Sequence, residues 1–288
     1  MKLVTYRHGD RELAGALTAD MAAVLPLPYS DMNDLIGSAS FTELLSAAQA
    51  AESRGACVPL SEVSLCAPIP RPRQDVICLG INYKAHADES TRYDASAFGG
   101  ERPVPIYFSK RVNEAVAPEG FIESHSGLVQ RLDYEAELAV IIGRAARNVK
   151  AAEAKDHIFG YTVLNDVSAR LLQTTHKQWY FGKGLDGFTP MGPCIVTADE
   201  ISFPPALAIS SRVNGELRQN STTDLLITGI AEIMEELSSG MTLLPGTIIA
   251  TGTPAGVGMG FDPPKFLSPG DVVECSIDGI GTLRNTVR

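Results

Sequence analysis

The sequence runs to 288 residues, 44% hydrophobic and 20% charged, which suits one or two globular domains with a sizeable core. A formal charge of -10 gives no attraction toward phosphate backbones or anionic lipid, and Lys and Arg are scattered, so no nucleic acid and no membrane is expected as a partner. The longest apolar runs, such as Leu138 to Ile142, are too short to span a bilayer, and Met1 to His8 turns polar too early for a signal peptide, which points to a cytoplasmic location.

Along the chain, Lys2 to Arg7 reads as a strand closed by a turn at His8-Gly9-Asp10, and Phe41 to Ala51 as a helix. Pro68-Ile69-Pro70-Arg71-Pro72 can continue neither a helix nor a central strand, so a small N-terminal module is placed at 1–70 and a larger domain at 71–288. Short apolar runs follow: Val76 to Leu79, Ile106 to Phe108, Leu138 to Ile142, Tyr161 to Leu164 and Cys194 to Thr197. A helix is expected just after Asp166. Asp224 is a candidate N-cap for a helix through Leu226, Ile230, Ile233, Met234 and Leu237, ended by Gly240. Pro245-Gly246 and Pro269-Gly270 introduce strands, and Asp278-Gly279 separates two alternating runs as a hairpin turn would. The pattern predicts a β-dominated α+β fold rather than a doubly wound sheet. Cys57, Cys66, Cys78, Cys194 and Cys275 form no metal-ligand or redox pattern and are expected as buried free thiols.

Several residues could carry chemistry. His86 and Glu89 stand three apart, so on a helical turn they share a face and can act as an oriented base; a surface ion pair is the plainer reading. Glu135 and Glu137 lie on one face of an otherwise apolar strand. There they either form the solvated side of an edge strand or share a divalent cation. Asp166 ends an apolar run and is either a third oxygen ligand or a helix N-cap. Three carboxylates suit Mg²⁺ or Mn²⁺, and the histidine or thiolate set of zinc is missing. Lys183, in a Gly-rich segment, could neutralise developing negative charge or simply be a solvated loop lysine. The Gly- and Thr-rich turn from Thr251 to Gly258 offers amides and hydroxyls to a carboxylate, without the lysine of a phosphate loop. His8, His125, His157 and His176 are given no role.

Taken in order, G-x-N-Y-x-x-H-x-x-E, D-Y-E-x-E-L-A-V-I-I-G, N-D-V-S-A-R-x-x-Q, G-K-G-x-D-G-F-x-P-x-G-P and A-T-G-T-P-A-G-V-G resemble the fumarylacetoacetate hydrolase family from about residue 74 to the end. The resemblance implies a mixed β-sandwich roll behind a small N-terminal module, usually a homodimer. It also implies Mg²⁺ or Mn²⁺ on Glu135, Glu137 and Asp166, water activation by His86 and Glu89 on a lid, and oxyanion stabilisation by Lys183. Arg170, Gln173 and Thr253 would contact a small 2-oxo-acid substrate. The implied reaction is hydrolysis of a carbon–carbon bond in an acylpyruvate through an enolate held on the metal. Oxaloacetate decarboxylation and isomerisation of a dienoic oxo-diacid are alternatives on the same site, and a non-catalytic metabolite binder is a further one. Three places depart from relatives: Leu79 stands where larger members have an extra Asp ligand, Ser90 to Pro105 is longer than the usual lid, and Ser109-Lys110-Arg111 lacks a Pro after the Lys.

Overall fold

Apolar side chains on both faces of a strand require cover on both sides, and this dictates the architecture. In the computed structural model, which describes residues 1–93 and 104–288, strand Ala136–Ile142 is buried at every position. Leu138, Val140 and Ile142 face one core, while Ala139 and Ile141 face another. The strand therefore lies in the middle of a large sheet, between Ile158–Asn165 and Ile248–Ala250, and the edge-strand reading of its two glutamates is excluded.

Eleven strands form that sheet among the described residues. Its order runs from Val58–Pro59 through Ala23–Pro26, Arg11–Leu17 and Lys2–His8 to Met191–Thr197, then Ile158–Asn165, Ala136–Ile142, Ile248–Ala250, Val76–Gly80 and Ile106–Lys110, with Ser64–Leu65 joined off this path to Lys2–His8. Neighbours are antiparallel except Ile248–Ala250 with Val76–Gly80. Strand Lys2–His8 pairs with Met191–Thr197, so the leading residues are hydrogen-bonded into the same sheet as the site. One face is covered by helices Met32–Ser38 and Phe41–Ser53, the other by helix Ile230–Gly240 and a five-stranded sheet. In the smaller sheet, Val272–Ile277 and Gly281–Val287 form the expected hairpin around Asp278-Gly279.

Two local expectations are corrected. The helix expected to start at Asp224 starts at Ile230, with Gly229 at its N-cap. Asp224 instead accepts a bond from Thr222 Oγ1, and Leu226 to Thr228 are drawn into contact with the segment around residue 82: Leu226 bridges to Tyr83, and Asn82 bonds to Thr228 and Ile227. Backbone groups that pair with a distant segment cannot begin a helix. Among the thiols, Cys78, Cys194 and Cys275 are buried, but Cys57 is exposed and Cys66 half-buried. Of the long segment Ser90 to Pro105, residues 94–103 lie outside the described residues.

Candidate active site and cation centre

Every buried carboxylate, lysine and arginine among the described residues belongs to one cluster: Glu89, Asp133, Glu135, Glu137 and Asp166 with Lys110, Arg170 and Lys183. Concentrating charge in an apolar interior is costly unless the charges are paired and bonded, so this placement marks a working site.

Strand geometry presents the acids. Glu137 lies in the central strand and Glu135 just before it, while the antiparallel neighbour brings Asp166 alongside, its amide bonded to Glu135 O at 2.9 Å. One oxygen from each of Glu135, Glu137 and Asp166 lies within 4.8 Å of the others. Asp166 caps no helix, because two extended residues intervene and the following helix, Arg170–Thr175, takes Ala169 as N-cap.

The cations lock these acids in place. Lys183 Nζ donates to Glu135 Oε2 and Asp166 Oδ2, both at 2.8 Å. It ends a four-residue helical turn, Tyr180–Lys183, and is buried rather than a solvated loop lysine. Arg170 donates from Nη1 to Glu135 Oε1 at 2.5 Å and to Gln173 Oε1 at 3.2 Å, and from Nε to Asp133 Oδ2 at 2.8 Å. Burial opposes ionisation of Glu135, but Lys183 and then Arg170 outweigh it and hold its carboxyl at about 2. Burial also pulls Lys183 down, yet Asp166 and Glu135 leave it above the usual lysine range. Glu137 goes the other way: burial, then the charges of Asp166 and Glu135, drive its carboxyl well up. Its Oε2 accepts the Gly252 amide at 2.8 Å.

The glycine-rich turn behaves differently from the sequence expectation. Its amides do bind carboxylates, but the protein's own: Gly252 N–H to Glu137, Gly256 N–H to Glu89 Oε1 at 3.0 Å, and Gly258 and Met259 N–H to Asp133 at 2.7 and 3.0 Å. At Gly256 the backbone has φ +104°, and a Cβ would lie 2.0 Å from Arg218 O, so this position requires glycine. Thr253 is likewise engaged, donating to Ala136 O at 2.9 Å and accepting from Gln219 at 2.7 Å.

His86 and Glu89 occupy one face of helix Lys84–Tyr93, both buried, with His86 Nδ1 3.0 Å from Glu89 Oε2. That bond leaves Nε2 as the ring nitrogen able to take a proton. His86 lines a narrow cleft with Glu135, Arg170, Gln173, Lys183 and Thr253, walled by Leu79, Phe108 and Trp179. Ile81, which also lines the cleft, has φ +55°, a strained conformation for a β-branched residue. All nine residues singled out from the sequence are thus buried in one cluster. The readings of His86 and Glu89 as a surface pair and Lys183 as solvated do not hold.

Sequence reasoning missed Asp133, Lys110 and Gln219. Asp133 carried a signal, since it continues the period-two pattern of Glu135 and Glu137. Lys110, at the end of strand Ile106–Lys110, has Nζ 2.7 Å from Asp166 Oδ1, an ion pair rather than an aligned hydrogen bond. Gln219 lies in strand Glu216–Thr222, where every residue but Leu217 is polar, so nothing in the sequence marks it out.

The donor set fits a divalent cation. The candidate ligands are carboxylate oxygens alone, and the five buried carboxylates, once all are ionised, exceed the three buried lysine and arginine charges among the described residues by two. A model of the fumarylacetoacetate hydrolase C-terminal domain matches residues 75–288. The chain belongs to this family. It is 47% identical over 231 residues, 79% of this chain and 74% of the relative, to the oxaloacetate tautomerase YisK of Bacillus subtilis (strain 168). A fumarylacetoacetate hydrolase from Exiguobacterium antarcticum shares the fold with TM-score 0.85 and 38% identity, over 100% of this chain and 99% of that one. A 2-hydroxyhepta-2,4-diene-1,7-dioate isomerase from Mycobacterium marinum gives TM-score 0.78 and 34% identity, over 100% and 98%. With the fold and site, these place the chain among enzymes of this family.

Proposed function

We propose that this chain is a divalent-cation-dependent enzyme acting at the carbon beside the keto group of a small 2-oxo acid, and that it interconverts the keto and enol forms of oxaloacetate. The observation that carries this reading is that His86, paired with the buried Glu89, lines the same cleft as Glu135, whose carboxylate lies within 4.8 Å of those of Glu137 and Asp166. The 47% identical oxaloacetate tautomerase supports the substrate.

Glu135, Glu137 and Asp166 would hold the cation, Mg²⁺ or Mn²⁺, which when bound would polarise the 2-oxo group. In the keto-to-enol direction His86 Nε2 takes a proton from the adjacent carbon and delivers it to the 2-oxo oxygen, and the reverse direction retraces both transfers, while Glu89, seated on the Gly256 amide, stabilises the imidazolium. Lys183 offsets negative charge growing on the substrate oxygen, and Arg170 with Gln173 orients the carboxylate. Leu79, Phe108 and Trp179 exclude water from the apolar side and favour a short substrate.

Hydrolysis of an acylpyruvate is a second reading, favoured by the same His86–Glu89 pair, because a base so oriented can equally take a proton from water. The test follows the enol absorbance of oxaloacetate with Mg²⁺ or Mn²⁺ and again with chelator, and assays pyruvate from oxaloacetate and acetylpyruvate. Cation-dependent loss of enol without pyruvate supports tautomerisation. Pyruvate and acetate from acetylpyruvate support hydrolysis, and pyruvate from oxaloacetate alone supports decarboxylation. No reaction with any of them overturns the assignment.

A further inference from the structure

Lys110 is wholly buried and reaches three oxygens on two other segments: Asp166 Oδ1 at 2.7 Å, Val167 O at 3.0 Å and Lys183 O at 2.5 Å. The two carbonyl oxygens accept hydrogen bonds from its ammonium group, and Asp166 Oδ1 is its ion-pair partner. It thus ties the carboxylate of Asp166 to the backbone of the residue whose own ammonium also holds Asp166. It does not line the cleft and touches no reacting atom.

We propose that Lys110 is a positioning residue of the cation centre: it fixes Asp166 against Lys183, and its charge sets the cluster to accept a doubly rather than triply charged ion. The inference rests on reading Glu135, Glu137 and Asp166 as cation ligands. With all five acids ionised, as ligation of a cation requires of Glu137, and with Lys110 charged, the buried charges among the described residues fall two short of neutrality. Without it they fall three short. In a low-dielectric interior, one unit of charge a few ångströms from a bound ion changes its affinity by a factor that grows with the ion's own charge. Removing Lys110 therefore favours a trivalent ion over a divalent one.

Trp179, the sole tryptophan, lines the cleft and provides the optical probe, because it can sensitise Tb³⁺ luminescence. Tb³⁺ binding is measured in this way and Mn²⁺ binding by calorimetry, on the full chain after chelation, for wild type, Lys110→Met, Lys110→Gln and Lys110→Arg. The expected result is a rise of at least about tenfold in the preference for Tb³⁺ over Mn²⁺ in the Met and Gln variants. Arg, which keeps the charge, should stay near wild type. A merely structural role would weaken both ions together and leave the ratio unmoved, and an unmoved ratio overturns the proposal. Should Met and Gln both fail to fold while Arg folds, Lys110 is a folding residue and the proposal falls. Failure of the wild type to bind either ion would overturn the ligand reading itself, an outcome separable from the others.

Discussion

Gly256 donates its amide to Glu89 across 167 positions of sequence, at 3.0 Å, and so seats the acid that orients His86. The seat is open because Gly260, beside it, has no side chain: a Cβ there would lie 2.0 Å from Glu89 Oε1. Gly260 has ordinary backbone angles, so the flexible Glu89 side chain must yield, not the fold. Gly260→Ala should lower kcat about 10- to 100-fold while leaving cation affinity and melting temperature near wild type, measured by turnover, calorimetry and thermal unfolding. Equal loss of stability and activity would contradict this.

Glu137 is where burial and two neighbouring acids disfavour charge most. In chelated protein, Glu137→Gln should raise the melting temperature by relieving that repulsion, and the stabilisation that Mn²⁺ confers on wild type should vanish. Thermal unfolding of both proteins with and without Mn²⁺ decides the matter.

Asp133 accepts from Arg170 and from two turn amides. Asp133→Ala removes one of the two carboxylates that hold Arg170 and leaves Arg170 Nε and the Gly258 and Met259 amides without their acceptor in the interior, and a loss of about 3–5 kcal/mol is expected from breaking a buried pair of this kind. Urea unfolding measures it.

The thiols have no part in the proposed reaction. Burial pushes Cys194 up to about 11 and drives Cys78 and Cys275 upward as well, so little thiolate exists at neutral pH. Brief treatment of the folded protein with a maleimide should label Cys57, spare these three by mass spectrometry of digests, and leave turnover unchanged.

Legibility in the sequence followed the range of the interactions. Strand positions and the Asp278-Gly279 hairpin were readable because alternation and turn chemistry are local. Glu135, Glu137 and Asp166 stood out because acids at the ends of apolar runs conflict with their surroundings. The helix start at Ile230 was missed because Asn82, far away, claims the preceding backbone. The Thr251–Gly258 turn shows its amide donors in the sequence, but that they bind the protein's own carboxylates depends on the pairing of Ile248–Ala250 with the strands that lead to Glu137 and Glu89, a non-local fact. Lys110 stayed hidden because its three partners come from other segments.

The central strand is clamped on both sides, and its one irregularity, the shift between Ile141 and Ile142, falls at the end away from the glutamates. A slip of one residue reverses which face each side chain occupies, so an insertion near Glu137 would send its carboxylate into the opposite core. An extra residue beyond Ile142 would meet a ladder that already departs from regular pairing there. Length variation in this strand is therefore tolerable at one end only, and the chemistry sits at the other.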